Sequence, residues 1–135
     1  MEVKKLAFHK RHNSAGKLTF LEGGKHKDIP FNIRRIYYIY DVAPGERRGF
    51  HAHKRLEQYL ICIHGSCTIL LDNGSEQQSV LLNDPSEGLY VGPGMWHEMY
   101  DFSPGAVLLV LASEYYDESD YLRDYQQFIS YLQGE

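Results

Sequence analysis

Cysteine is scarce in this sequence: Cys62 and Cys67 are the only two. They flank the turn-like His64-Gly65-Ser66, and the opening MEVKKLAFHK lacks the apolar core of a secretory signal. Two reduced, buried thiols in a cytoplasmic protein are therefore expected, not a disulfide. No apolar run approaches the roughly 20 residues that a membrane-spanning helix needs. Strong charge of one sign is also missing. The net charge of -4 argues against nucleic acid or anionic membrane as a partner, though a local basic site for a phosphate is compatible with it. No repeat, low-complexity stretch or linker divides the chain, so residues 1–135 read as a single domain. A chain of this length buries roughly two-thirds of its unfolded surface and needs neither disulfide nor structural metal to hold together.

What the sequence does contain is tyrosine, eleven in all, together with short apolar runs between turn signals. That spacing predicts an all-β sandwich or barrel. The runs are Val3 to Lys10, Lys17 to Glu22, Phe31 to Tyr40, Gly49 to His53, Glu57 to Ile63, Cys67 to Leu71, Ser79 to Leu82, Gly88 to Val91, Trp96 to Phe102 and Ala106 to Ala112. Phe31 to Tyr40, long and rich in β-branched and aromatic residues, is expected to be a central strand. His64-Gly65-Ser66 and Asn73-Gly74 read as hairpin turns. From Ser119 the apolar residues Tyr121, Leu122, Tyr125, Phe128, Ile129 and Leu132 recur at helical spacing, which predicts a C-terminal amphipathic helix capped by Asp117 or Ser119.

The histidines carry the chemistry. His51 and His53 stand two apart in Gly49-Phe50-His51-Ala52-His53, so on a strand both imidazoles face one side. Glu57 follows, and His97 comes later, after Gly92-Pro93-Gly94. Three imidazoles and a carboxylate can ligate a divalent transition metal. The same imidazoles suit acid–base work near neutral pH.

These residues resemble a known pattern. Gly45, His51-x-His53 and Glu57 look like the first motif of the cupin superfamily, and Gly88 through Pro93 to His97 looks like the second, with Asp101 where that motif has Asn. Gly65 falls one residue late for the first motif, and the Pro93-to-His97 spacing is one residue short. A narrower resemblance runs along nearly the whole chain. IRRIYYIY, RRGFHAHKRLEQ, HGSC, LYVGPGMWHEMYDF and LVLASEYYDESDYLRDY are similar to the WxcM-like sugar 3,4-ketoisomerases, cupins that act on dTDP-4-keto-6-deoxyglucose.

That resemblance implies a jelly-roll homodimer, with exchange of N-terminal strands as one form, and chemistry with no metal and no cofactor. It implies a cytoplasmic enzyme supplying 3-amino sugars for bacterial surface glycans such as lipopolysaccharide O-antigen or S-layer glycan. By the match to GFHAH, His51 is the expected base. His53 is then a second proton carrier, an oxyanion donor or a support for His51. His97, expected from the opposite sheet, with Lys17, would set the face on which C4 is protonated, favouring the galacto product. Arg35 and Arg48 are candidates for the diphosphate, since the planar guanidinium binds two oxygens at once. Tyr37, Tyr38 and Tyr100 are candidates to stack on or hydrogen-bond a thymine or sugar. A metal-dependent cupin built on His51, His53, Glu57 and His97, a nucleotide-sugar epimerase and a non-catalytic sensor are the other readings of the same residues.

Overall fold

The computed structural model describes residues 1–134. Twelve strands build two five-stranded antiparallel sheets and one separate hairpin, in a jelly-roll arrangement. The first sheet contains β1 (Lys5–Ala7), β4 (Arg35–Ile39), β6 (Gln58–His64), β9 (Glu87–Val91) and β11 (Val107–Ala112), in the order β1-β9-β6-β11-β4. The second contains β5 (Arg48–His53), β7 (Cys67–Asp72), β8 (Gln77–Leu82), β10 (Trp96–Tyr100) and β12 (Tyr121–Leu122), in the order β12-β5-β10-β7-β8. β2 (His9–Asn13) and β3 (Gly16–Phe20) pair only with each other. No helix among the described residues is long and apolar enough to cross a membrane.

Alternation along the strands divides the apolar residues into separate layers. Leu60 and Cys62 of β6, Ile69 and Leu71 of β7, and Leu108 and Val110 of β11 meet between the sheets. The odd-numbered neighbours Tyr59, Ile61 and Leu111 face outward, where Phe8, Ile29 and Phe31 cover them. On the outer side of the second sheet Ala52, Trp96 and Leu122 lie under Phe128 of the α-helix α1 (Tyr125–Leu132). Each fully buried Leu or Phe contributes about 1.5–3 kcal/mol, so the inter-sheet layer is enough to fix both strand registers.

Three expectations need correction. The strand expected over Phe31 to Tyr40 is shorter and lies at the edge of its sheet, because Ile29 and Phe31 leave the strand path to plug the outer face. His64-Gly65-Ser66 is a crossover and not a hairpin: β6 and β7 belong to different sheets, and Ser66 instead exchanges hydrogen bonds with Ser103. Asn73-Gly74 does join a paired hairpin, β7 with β8. Cys62 and Cys67 are free and buried in the same layer.

The C-terminal segment is the third correction. Residues Glu118–Asp120 form a 3-10 turn capped by Asp117, Tyr121–Leu122 pair with β5, and the helix starts only at Tyr125, capped by Asp124. The competing force is Asp120. Its carboxylate is buried and accepts the backbone N–H groups of Arg55 (2.8 Å) and Leu56 (3.1 Å), while its carbonyl accepts from the N–H of Lys54. That pins the segment in extended form against the β5–β6 turn. Asp120→Ala leaves two amides without their acceptor and is expected to cost about 2 kcal/mol or more, with Asp120→Asn costing less; urea denaturation of the two variants beside the parent protein checks both.

Candidate active site

One irregularity in β5 organises the site. His51 pairs with His97 and Gly49 with Glu98, so Phe50 is an extra residue opposite consecutive positions of β10. Gly49 (φ 94°) and Phe50 (φ 60°) both lie in the left-handed region, and a Cβ on Gly49 would sit 2.9 Å from the carbonyl oxygen of His97. A bulge of this kind reverses the alternation. It places Arg48, opposite Met99, on the same inner face as His51 and His53, although strict alternation would separate residues three apart.

His51, His53 and His97 converge between the sheets. Ring centroids are 4.9 Å apart for His51 and His53, 4.7 Å for His51 and His97, and 5.6 Å for His53 and His97. His97 reaches this cluster from β10, the strand next to β5 in the same sheet and not from the opposite sheet as expected. The Nδ1 atoms of His51 and His97 lie 3.0 Å from the carbonyl oxygens of Gly49 and Met95. A carbonyl only accepts, so each Nδ1 carries the hydrogen and each Nε2 is left with its lone pair. Nε2 of all three imidazoles is buried with no hydrogen-bond partner among the described residues.

Burial, with the other imidazoles adding to it, drives the His51 pKa down to about 3 and that of His53 down to about 2; burial alone pushes His97 in the same direction. The three are neutral together because none has a carboxylate to pair with. Glu57 is engaged elsewhere, accepting a 2.7 Å hydrogen bond from Tyr90 and not from an imidazole.

A cavity of about 320 Å³ opens onto this cluster. His51 lines it, while His53 (2% exposed) and His97 (0%) stand behind. Arg35, Arg48 and Tyr37 line it as expected, and Tyr38, 61% exposed, borders it. The structure adds Tyr121 and Arg123. The Tyr121 ring is edge-on to His53 (4.5 Å) and His51 (5.1 Å), and the Arg123 guanidinium lies 4.2 Å over it, held by Glu118 at 2.6 and 2.9 Å. A helical reading of the segment hid both. The usable signal was Asp124 followed three residues later by Gln127, a capping box that starts the helix after them.

Two expected residues are not here. Tyr100 faces outward with Glu98, bonded to Ser79 (2.9 Å) and covered by Arg47 at 4.0 Å, because it alternates with the inward Met99. Lys17 lies on the β2–β3 hairpin, in a larger groove of about 710 Å³ on the outer face of the first sheet beside Ile61, Ile63 and Leu109. That groove contains no histidine.

Comparison with known proteins agrees with this geometry. The family described as FdtA, WxcM-like, C-terminal, matches residues 1–133. The chain belongs to this family. A curated relative, the TDP-4-oxo-6-deoxy-alpha-D-glucose-3,4-oxoisomerase of Aneurinibacillus thermoaerophilus, is 52% identical over 132 residues, covering 98% of this chain and 94% of that protein. A histidine-to-asparagine variant of the 3,4-ketoisomerase QdtA from Thermoanaerobacterium thermosaccharolyticum, solved with TDP-4-keto-6-deoxyglucose, superposes with a TM-score of 0.93 at 49% identity, over 98% of this chain and 95% of that one. A 3,4-ketoisomerase from Helicobacter canadensis gives the same TM-score and identity, with 98% of both chains covered. The cupin jelly roll is thus the fold of this protein as it is of these relatives.

The buried imidazoles have a thermodynamic consequence. Unfolding returns them to an ordinary value near 6.5, so below that pH the unfolded chain takes up protons that the folded chain refuses until about pH 3 or lower. Their contribution is intact above pH 6.5 and is lost as the pH falls, at up to about 1.4 kcal/mol per pH unit for each. Denaturant unfolding at pH 7 and pH 5 is expected to show a smaller loss for His53→Gln than for the parent protein.

Proposed function

We propose that this protein is a single-domain isomerase that moves the carbonyl of a TDP-4-keto-6-deoxyhexose from C4 to C3, with His51 as the base. The observation that carries the reading is that, of three clustered imidazoles, His51 alone borders a cavity whose rim holds cations. The named substrates of the related ketoisomerases fit that chemistry.

In such a sugar the C4 carbonyl acidifies the hydrogen on C3. His51 is neutral and presents an Nε2 lone pair, the form that takes a proton. The proton leaves C3 for Nε2, and the electron pair of the C–H bond becomes the C3–C4 double bond of an enediolate. Delivery of that proton to C4, with the hydroxyl hydrogen of O3 passing to O4, then leaves the ketone on C3 and a hydroxyl on C4. The lone pair of His97 behind His51 offsets part of the cost of an imidazolium in that setting. Arg35 and Arg48, joined by Arg123, take the diphosphate; Tyr37 and Tyr38 meet the sugar or the thymine.

Incubation with TDP-4-keto-6-deoxyglucose in heavy water is expected to give a C3 ketone with deuterium at C4 by NMR. His51→Asn is expected to stay folded and lose turnover by at least about 100-fold. Deuterium uptake with the carbonyl still at C4 would mark an epimerase, and binding without exchange a sensor. A second reading has its own support: the ligand nitrogens of His51, His53 and His97 lie within 4.8 Å of one another, a set able to hold a divalent transition metal as a Lewis acid for a carbonyl. Its fourth cupin ligand, Glu57, is committed to Tyr90. Stoichiometric metal in protein purified without added metal, with turnover lost to a chelator, would replace the metal-free mechanism.

The reading extends to a cytoplasmic homodimer that feeds a sugar aminotransferase for surface glycans such as lipopolysaccharide O-antigen or S-layer glycan. The unpaired thiols of Cys62 and Cys67 suit a reducing compartment. Ile36, Tyr38, Tyr40 and Ile63 leave apolar surface uncovered on the first sheet, and the hairpin exposes Leu18 and Phe20. Exchange of that hairpin between subunits covers both and brings Lys17 towards a neighbouring site, where it would act with His97 to give the galacto product. Light scattering is expected to return twice the 15.6 kDa chain mass, and the NMR product an axial C4 hydroxyl; a monomer or an equatorial hydroxyl would overturn the corresponding part.

A further inference from the structure

Two of the cavity's cations come from sheet edges that never pair. Arg35 stands on β4, the edge of the first sheet, and Arg123 directly follows β12, the edge of the second. One carboxylate connects them. Glu118, in the 3-10 turn before β12, does not itself line the cavity. Its Oε1 accepts from Arg123 Nε at 2.6 Å and its Oε2 from Arg123 Nη2 at 2.9 Å. The Tyr116 hydroxyl also donates to Oε2. The Arg35 guanidinium lies 5.6 Å over the Tyr116 ring, which in turn leans on Tyr121 at 5.6 Å. Both arginines keep donors for a ligand: Arg35 Nε is buried with no partner, and Arg123 Nη1 has no protein acceptor among the described residues.

We propose that Glu118 is a positioning residue for diphosphate binding: it holds Arg123 directly, and Arg35 through Tyr116, so that the two guanidinium groups stand at a fixed separation across the gap between the sheets before the ligand arrives. This rests on the TDP-sugar substrate of the isomerase reading. An isolated exposed ion pair contributes little, but a two-bond arginine–carboxylate pair inside a network is the case in which it counts. A free arginine loses rotamer freedom when it closes on a phosphate, and a tethered one has already lost it. The sign of the effect separates positioning from plain electrostatics. Glu118 is an anion beside the site of another anion, so charge repulsion alone predicts tighter binding once the carboxylate is removed. Positioning predicts weaker binding.

The test is calorimetric titration of the full chain with TDP, together with steady-state kinetics on TDP-4-keto-6-deoxyglucose and thermal unfolding as the control for folding. Glu118→Gln keeps the size of the side chain but loses the charge and one of the two bonds to Arg123. It is expected to raise the Kd for TDP and the KM for the sugar about fivefold or more, with kcat within about twofold, since the groups that move the proton are untouched. With Arg123→Met and Tyr116→Phe already in place, the same substitution is expected to change the Kd by less than about twofold, because both of its arms are gone. An equal or lower Kd in Glu118→Gln, a loss confined to kcat, or an undiminished effect in the doubly substituted background each overturn the proposal. Should Glu118→Gln fail to fold, Tyr116→Phe alone decides it, with a Kd raised about threefold expected and an unchanged Kd overturning it. A parent protein that binds no TDP sinks both readings. One that binds TDP but converts none of the sugar sinks the isomerase reading alone, and an active parent matched in Kd by Glu118→Gln sinks this proposal alone.

Discussion

Everything at the site depends on three imidazoles buried together with no counter-charge. A single carboxylate among them would hold at least one imidazole as a cation and occupy its free nitrogen. The chain avoids this by spending Glu57 on Tyr90 and Glu98 on Arg47 and Trp96, and by using backbone carbonyls, which accept without charge, to orient His51 and His97. The result is an Nε2 lone pair on each of His51 and His97. Burial costs stability in acid, and in return the base is neutral at physiological pH.

Placing these groups takes two devices that work against regular structure. The first is the bulge at Gly49 and Phe50, which puts Arg48 on the face of the histidines. The second is Asp120, which exchanges a turn of helix for two backbone hydrogen bonds and so lays Tyr121 beside His53. A local conformational preference is given up in each case for a contact that only the assembled sheet can offer.

These devices also explain what was legible in the sequence. Period-two patterning shows the β-sandwich and the His51/His53 pair, because alternation depends on neighbours in the chain. The places of Arg35 and Tyr37 at the cavity follow from the same local pattern together with the resemblance, whereas Arg48, which period two would turn away from His51, reaches the cavity only through the bulge. Tyr121 and Arg123 did not follow, because their helical spacing is real and is overruled by the distant Arg55 and Leu56 amides. Tyr100 and Lys17 failed for related reasons. Whether Tyr100 faces in or out is fixed by its register against β7, and the place of Lys17 by a hairpin that pairs with neither sheet. Likewise β6 and β7, adjacent in sequence around Gly65, look like a hairpin until the sandwich assigns them to opposite layers.

The opposition of layers has a chemical meaning. Moving a carbonyl by one carbon needs a group that removes a proton from carbon and another that steadies the charge on oxygen, and the two must not neutralise each other. On a single strand they would be close enough to do so. Here the second sheet contributes the lone pairs of His51 and His97, with Arg48 beside them, while the first contributes Tyr37 and Arg35 from across the cavity. The cavity between the layers keeps the His51 lone pair apart from the Tyr37 hydroxyl until a substrate spans them. A sandwich therefore supplies more than a scaffold: its two inner faces can be given opposite chemical characters because side chains that face each other across it come from strands that never pair.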